Sequence, residues 1–546
     1  MMQEIKMKTE YLVPARIIAL CGNIDNSETL LKEKTKQIFT DEADVCTVRG
    51  RGYFVLDFGL ELAGRLRIIT LQIKHLDYRA QIRIRYGESV GECMAELGEK
   101  HACNHHAPRD FTAFLPAMSD ISYTDSGFRF VRIDFLEDVT LTVKSVLAVS
   151  VCADLEQKGS FVCDDALINR IFDTAKRTVL LNVQNQFIWD GIKRDRLVWT
   201  GDLHPEITSL LRLYGDIPCI SASLDALRGQ YPLPVWINAI PSYSMWWIIN
   251  LYEYYRYTGD KEYLKQSAAY LSAVAEQICS CIRGNGSFDF TFAAPTEMPL
   301  FLDWPTYGTE FASAGVAALC RIALSYASAL LEEIGLNGKE FAASALKAGG
   351  RKILRGAPKQ ILAMRVLSGE DGALQEAGAL TECGGKGVSA FMCGYILTAA
   401  ARGGKAEKAL DTAREYYGGM LDRGATAFWE DFDLDWLKGS GRIDELPRNG
   451  EKDLHGDFGD HCYKGYRKSL CHGWSAGVIP FLFEEIAGIK PLSAGCGRLA
   501  LNPKPGGLKY FRCVYPTPFG AVTIEYSGGR AAYTAPDGVE IIENQK

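Results

Sequence analysis

Apolar and polar positions follow two different rhythms along this chain. Before residue 155 the rhythm is that of strands. The stretch 66–73 (LRIITLQI) is dense in branched residues, and 79–86 (RAQIRIRY) alternates with period two, the mark of a half-buried strand. Further short strands are predicted at 127–134 (GFRFVRID) and 139–151 (VTLTVKSVLAVSV), divided by turn residues. Such strands bury their apolar faces as a sandwich, or as a curled sheet packed on the next domain.

Near residue 155 the spacing becomes helical. Asp164 and Asp165 precede Leu167, Ile168, Ile171 and Phe172 in the manner of a capped helix start. Helices are predicted at 206–213, 243–257, 261–283, 310–332, 339–346, 370–378, 388–400, 404–417 and 473–487, with a TGD turn at 258–260. The region has room for about a dozen helices. Arranged as six hairpins, they close into an (α/α)6 toroid. A solenoid of helix pairs is the alternative, and the lack of a fixed sequence period argues against it. Strand character returns at 497–503 (GRLALNP), 508–515 (LKYFRCVY), 520–527 (GAVTIEYS) and 530–535 (RAAYTA), with turn signals at 503–507, 527–529 and 536–538. The expected division is 1–154, β-rich; 155–487, the helical barrel; and 488–546, a small β-domain.

Composition fits this division. A chain of 546 residues exceeds what one hydrophobic core normally supports, so two to four domains are expected. It is 47% hydrophobic and 23% charged, as in ordinary folded proteins, and its 53 glycines predict many turns. A net charge of −7 and an isoelectric point near 5.8 argue against a nucleic-acid partner, which needs a basic face. No run of eighteen apolar residues predicts a membrane span, and the first eight residues lack the apolar core of a leader, so a cytoplasmic location is expected. The sixteen cysteines are scattered without a CxxC pair and read as small buried hydrophobes. The chain is open to self-association as a homo-oligomer.

Two segments carry an unusual density of chemistry. The first, 189–202 (WDGIKRDRLVWTGD), holds Asp190, Asp195 and Asp202 with Lys193, Arg194, Arg196, Trp189 and Trp199 in a predicted loop at the rim of the helices. Carboxylates there can grip sugar hydroxyls, arginine can tune a nearby acid, and tryptophan can stack on a pyranose. A salt-bridged turn anchored by tryptophan explains the same composition equally well. The second, 424–436 (GATAFWEDFDLDW), interleaves Glu430, Asp431, Asp433 and Asp435 with four aromatic residues, Trp429 among them. Glycosidic hydrolysis needs two carboxyl groups, one to protonate the leaving oxygen and one to activate water or attack carbon. A charged turn over buried aromatics is the plainer reading. Asp303 and Trp304, in a loop at 295–306, offer another carboxylate and stacking face. Trp236, Trp246 and Trp247 suit a barrel mouth or a core. His455, His461 and His472, spaced by 6 and 11 residues, fit no compact metal-ligand pattern. His105 and His106 read as a turn or domain contact. No dinucleotide or phosphate-binding glycine motif occurs, and no cofactor or metal is expected.

The segment KRDRLVWTGD (193–202) resembles the R-[DE]-E-R-x-x-W-T-G-D signature of glycoside hydrolase family 78 α-L-rhamnosidases. GATAFWE (424–430) is similar to that family's G-A-T-T-x-W-E segment, and Ser469 to His472 with Gly477 and Val478 to its S-x-N-H…G-S-V segment. Weaker similarity covers Gly159 to Phe161 with Asp164, Asp303 with Trp304, and 502–507, so that it runs from about 55 to 527. The resemblance implies a six-hairpin (α/α)6 toroid flanked by β-sandwich-like domains, and inverting hydrolysis of terminal α-L-rhamnosyl or similar deoxy-sugar residues from small glycosides. It places the general acid on Asp195 and the general base on Glu430. Asp190, Arg194, Trp199, Asp202, Asp303, Trp304, Trp429 and His472 fall on sugar-pocket positions. Two departures touch the site: Asp195 stands where the family usually has glutamate, and Cys471 where it has asparagine. A lyase or a phosphorylase on the same toroid, or a sugar-binding protein without catalysis, is the alternative. A phosphorylase calls for a basic phosphate pocket, whereas Glu430 sits in an acidic segment.

Overall fold

The computed structural model describes residues 4–34, 44–349 and 356–543. Residues 1–3, part of the segment read above for a leader, lie outside the described residues.

The first rhythm becomes one antiparallel sheet of eight strands: β1 (Met7–Leu12), β2 (Arg16–Asp25), β3 (Cys46–Lys74), β4 (Arg79–Gly87), β5 (Asp110–Pro116), β6 (Asp120–Ser122), β7 (Ser126–Phe135) and β8 (Thr140–Ala153). The order is β1-β8-β3-β7-β4-β5, with β2 and β6 also paired to β3. Strand β3 is 29 residues long, and the predicted strand at 66–73 is only its second half. Its register against β7 shifts between Asp57 and Leu62, and β8 pairs with it at 46–49 and again from Gly64 onward. The period-two pattern of β4 puts Ala80, Ile82 and Ile84 into the enclosed core beside Phe54, Leu66, Phe128 and Val131. Short helix α1 (Val90–Met94), capped by Ser89, follows β4.

The second rhythm becomes helices α2 (Ala166–Leu181), α3 (Thr200–Tyr214), α4 (Pro218–Gln230), α5 (Pro241–Thr258), α6 (Lys261–Ser280), α7 (Ala312–Glu333), α8 (Lys339–Ala345), α9 (Lys359–Leu367), α10 (Cys393–Arg402), α11 (Ala406–Asp422) and α12 (Val478–Phe481). Helices α3, α5, α7, α9, α10 and α12 each pack on the next, and α12 returns to α3. Outside them, α4 and α6 lie on α5, α6 and α8 on α7, and α11 on both α10 and α2. Burial follows this order: every residue of α3 except His204 is buried, whereas α6 and α11 bury one face. Helix α7 is long and apolar enough to cross a membrane, and most of it is buried inside the protein.

Several boundaries differ from the sequence expectation. Helix α3 begins six residues before the predicted 206–213, because Thr200, Gly201 and the internal Pro205 obscure its start. Helices α4 and α9 have no counterpart among the predicted segments. The expected helix at 370–378 is a 3₁₀ segment, Ala373–Thr381, and 473–487 divides into a 3₁₀ turn, α12 and a π turn, Leu482–Ile486. All sixteen cysteines are free thiols.

Strand β9 (Ser160–Cys163) leads into α2, and the hairpin β10 (Val183–Gln184) and β11 (Phe187–Ile188) follows that helix. The tail forms β12 (Ile489–Pro491), β13 (Arg498–Leu501), β14 (Tyr510–Thr517), β15 (Gly520–Ser527), β16 (Arg530–Thr534) and β17 (Glu540–Glu543). Sheet order β16-β15-β14-β9 stitches the entry of the helical region to the tail, with Phe161 opposite Cys513. Phe161, Phe511 and Tyr515 belong to the same core as the helices.

Candidate active site

The hairpin β10–β11 delivers the chain into the loop before α3, and main-chain bonds fold that loop tightly. Asp190 N donates to Leu197 O at 3.0 Å, Leu197 N returns a bond to Asp190 Oδ1 at 3.0 Å, and Gly473 N donates to Asp190 O at 2.8 Å. Helix α3 then carries Asp202 in its first turn and Glu206 one turn later. His472 Nε2 lies 3.0 Å from Asp202 Oδ1, and Tyr243 OH donates to Asp202 Oδ2 at 3.4 Å. Asp190, Asp202 and Glu206 are all buried. Burial raises each carboxyl above its usual range, and neighbouring carboxylates add to the effect. Burial opposes the charge on His472, yet its bond to Asp202 and the surrounding acids outweigh that and raise its pKa. The crowded acids and the imidazole thus form a proton-retaining cluster.

Glu430 lies near enough to act electrostatically on Asp202 and His472. Its carboxylate is buried, with a side-chain exposure of 2%; Oε1 pairs with the Arg194 guanidinium, and Oε2 accepts from Ser469 N at 2.8 Å. The backbone is equally fixed, since Glu430 N donates to Ser469 O at 2.9 Å and Trp474 Nε1 donates to Glu430 O at 3.1 Å. Glu430 lines a narrow cleft with Asp303, Trp304, Ser389, Asp431, Tyr463 and Trp474 among its other walls. Asp303 is held by Thr306 Oγ1 and by Ser389 Oγ at 2.8 Å, and burial raises its pKa. Trp304 stacks on His461 at 5.3 Å and meets Tyr463 edge-on at 5.9 Å. Burial pushes Asp431 up to about 6, and buried Lys468 beside it down to about 8. Aromatic walls with a few fixed carboxylates suit a pyranose ring.

Asp195 does not line that cavity; it stands at a partly exposed rim of its own loop, with its side chain 18% exposed. The Arg194 guanidinium reaches it at 3.8 Å while holding Glu430, so one cation lies between the two carboxylates proposed from sequence. His106 Nδ1 lies 3.2 Å from Asp195 Oδ1, which makes the histidine pair the domain contact its position suggested.

The structure therefore groups Asp190, Asp202 and His472, joins Arg194 to both Glu430 and Asp195, and sets Asp303 and Trp304 in the Glu430 cavity. Trp429 does not line that cavity; its indole is buried against Phe432, because Glu430 and Asp431 take the cavity-facing positions. Trp199 caps the start of α3 and packs edge-on against Tyr243 at 6.0 Å. Trp236 and Trp247 are core residues, bonded to Ala294 O and Leu224 O. Trp246 lines a second cavity, walled by residues of the six inner helices and by none of these site carboxylates. The three scattered histidines serve three different places. His455 meets Ser89 at 2.8 Å, and with Glu88 and Glu92 forms a group whose ligand atoms lie within 4.8 Å of one another. Lys193 supplies the positive charge there, with Nζ 2.9 Å from Glu88 and 3.1 Å from Glu92.

Glu206, Ser389, Tyr463 and Trp474 were missed by the sequence reading. Only Glu206 left a usable signal, lying one helical turn after Asp202 once the true start of α3 is known.

Residues 156–287 match the family model described as the bacterial alpha-L-rhamnosidase 6 hairpin glycosidase domain. No curated protein matches the chain by sequence. Among solved structures, a GH78 family rhamnosidase of Bacillus sp. GL1 is 20% identical with a TM-score of 0.71, over 95% of this chain and 56% of that one. An alpha-L-rhamnosidase from Dictyoglumus thermophilum is 18% identical with a TM-score of 0.71, over 99% of this chain and 59% of that one. A rhamnosidase from Klebsiella oxytoca with rhamnose bound is 16% identical with a TM-score of 0.66, over 88% of this chain and 96% of that one. The chain thus spans little more than half the length of the first two and nearly all of the third. At these identities the likeness is one of fold.

Proposed function

We propose that this protein hydrolyses terminal α-L-rhamnosyl, or closely similar deoxy-sugar, residues of small glycosides with inversion at the anomeric carbon. Glu430 is the general base, accepting the proton of the attacking water. Asp195 is the general acid, protonating the glycosidic oxygen as the bond to C1 breaks. Asp190, Asp202, Asp303 and His472 hold sugar hydroxyls and favour the positive charge that builds at C1 and the ring oxygen. Arg194 holds the Glu430 carboxylate in place. Trp304 is the stacking face, and Trp199 supports the pocket through Tyr243.

The observation that carries this reading is the Glu430 carboxylate, buried yet bonded to Arg194 and to Ser469 N on the wall of a small, aromatic, acid-rich cavity. A carboxylate so held is a base ready to act without reorganisation. The closed circuit of α3, α5, α7, α9, α10 and α12 supports an (α/α)6 toroid as the catalytic domain. We divide the chain at 1–154, 155–487 and 488–546, with β9 lent to the C-terminal sheet. Sixteen free thiols favour a reducing, intracellular setting.

A panel of p-nitrophenyl glycosides tests the proposal, with wild type beside Glu430→Gln. Turnover of the α-L-rhamnoside that disappears in the variant is the expected result. Turnover of a different glycoside alone would overturn the sugar assignment, and undiminished activity in Glu430→Gln would overturn the role of that residue.

A further inference from the structure

We infer that His106, supplied by the N-terminal sheet domain, is a positioning residue for the acid arm: it fixes the carboxyl of Asp195 and stabilises its ionised form as the proton leaves. This rests on Asp195 acting as the general acid.

The geometry is built from both sides of the domain boundary. On the helical side, Asp195 and Arg196 both adopt left-handed backbone, with φ of 55° and 56°. Two consecutive non-glycine residues there are uncommon and must be held by their surroundings. Arg196 N donates to Arg194 O at 2.7 Å, and Arg196 Nε donates to Ile192 O at 3.1 Å. That turn sends the Arg194 side chain inward to Glu430 and leaves Asp195 at the rim.

On the sheet side, Asn104 closes the loop before β5. Its Oδ1 accepts from Arg109 N at 2.9 Å and Asp110 N at 3.0 Å, and its Nδ2 donates to Asp110 O at 2.9 Å. The loop presents His106 with φ of 65°, its ring 6.2 Å from that of His105. Left-handed backbone on both partners of a contact between domains points to a constrained pairing rather than a chance approach of surface side chains.

Among the described residues, Arg194 and His106 are the ion-pair partners of the Asp195 carboxylate, and the buried carboxyl of Asp190 also acts on it through space. Arg194 is 3.8 Å away and committed to Glu430. His106 is therefore the group free to follow the change in charge on Asp195. In the tautomer with a proton on Nδ1, it donates to Asp195 Oδ1 while Oδ2 carries the proton to be transferred. In the transition state that proton moves from Oδ2 to the glycosidic oxygen, which takes the electron pair of the breaking bond to C1. Water forms the new bond to C1 and gives its proton to Glu430. The bond from Nδ1 then faces a carboxylate instead of a carboxyl and strengthens as charge develops. The 43% exposure of the His106 side chain leaves solvent at hand to return the proton after turnover.

The test compares His106→Ala, His106→Gln, Asp195→Asn and Glu430→Gln on two α-L-rhamnosides. The 2,4-dinitrophenyl aglycone leaves without protonation, and the methyl aglycone requires it. His106→Ala is expected to lower kcat about 10- to 100-fold on the methyl glycoside and less than about 3-fold on the dinitrophenyl glycoside, with partial recovery in His106→Gln. Equal losses on both aglycones, or no loss on either, would overturn the inference. Glu430→Gln and Asp195→Asn separate it from the parent reading. If Glu430→Gln is inactive on both substrates and Asp195→Asn is selective for the aglycone, a flat His106→Ala response refutes only the role of His106. If Asp195→Asn shows no aglycone dependence, the parent assignment fails with it.

Discussion

Arg194 is buried and paired with Glu430, and its removal leaves that carboxylate buried with Ser469 N as its remaining hydrogen-bond donor. Arg194→Met is therefore expected to lower unfolding stability by about 3–5 kcal/mol at pH 7, read by urea denaturation. Asp431 gives a pH-dependent companion. Its pKa is raised by burial to about 6, so between roughly pH 4 and 6 the unfolded chain has lost a proton that the folded protein keeps. Stability contributed by this group falls as pH rises through that window, and the full penalty is present above it. Asp431→Asn is thus expected to raise the melting temperature relative to wild type at pH 7.5, with the difference vanishing near pH 4. Three carboxylates of the site were legible because they crowd one short loop, and Glu430 because acids and aromatics alternate around it. Glu206 was not legible: a glutamate in an amphipathic helix reads as its solvent face, and only the burial of nearly all of α3 reverses that. Ser389 and Tyr463 are single residues that tertiary packing alone brings to the cavity.

At the scale of elements, the long helices α5, α6 and α7 follow their sequence rhythm to within a few residues. Helix α9 is short and buried on nearly every side, and periodicity needs a wet face to be visible; α4, with one buried face over 13 residues, has no such excuse. Backbone packs closely on backbone where α10 meets the turn before α12. A Cβ on Gly394 would lie 2.6 Å from Gly477 O. Gly394→Ala is expected to cost about 1–3 kcal/mol of stability, because backbone on one side leaves nothing flexible to yield. Thermal unfolding of the purified variant checks it. An unchanged melting temperature would mean that the two elements can separate without loss.

Across the whole molecule, the sheet domain and the helices share charged contacts that sequence could not disclose, because the partners lie hundreds of residues apart. Arg129 binds Asp57 of its own sheet at 2.8 Å and donates to Gly424 O at 2.8 Å, and Glu88 accepts from Leu470 N at 2.6 Å. Lys193 is buried between Glu88 and Glu92 on one side and the carbonyls of Tyr466 and Lys468 on the other. Lys193→Met leaves both glutamates without that cation. It is expected to split or broaden a single calorimetric transition and to reduce activity, although Lys193 touches neither Asp195 nor Glu430. The division into sheet, helices and tail was visible as a change of rhythm, whereas the loan of β9 to the tail sheet was not, since strand pairing over such separation leaves no local mark. The central claim is that Glu430 activates water for inverting attack on an α-L-rhamnoside. Its most direct measurement is the proton NMR spectrum of the sugar released in the first minutes from p-nitrophenyl α-L-rhamnopyranoside. The account expects β-L-rhamnose to appear first and later equilibrate, with no release by Glu430→Gln; α-L-rhamnose as the first product, or release undiminished in the variant, would contradict it.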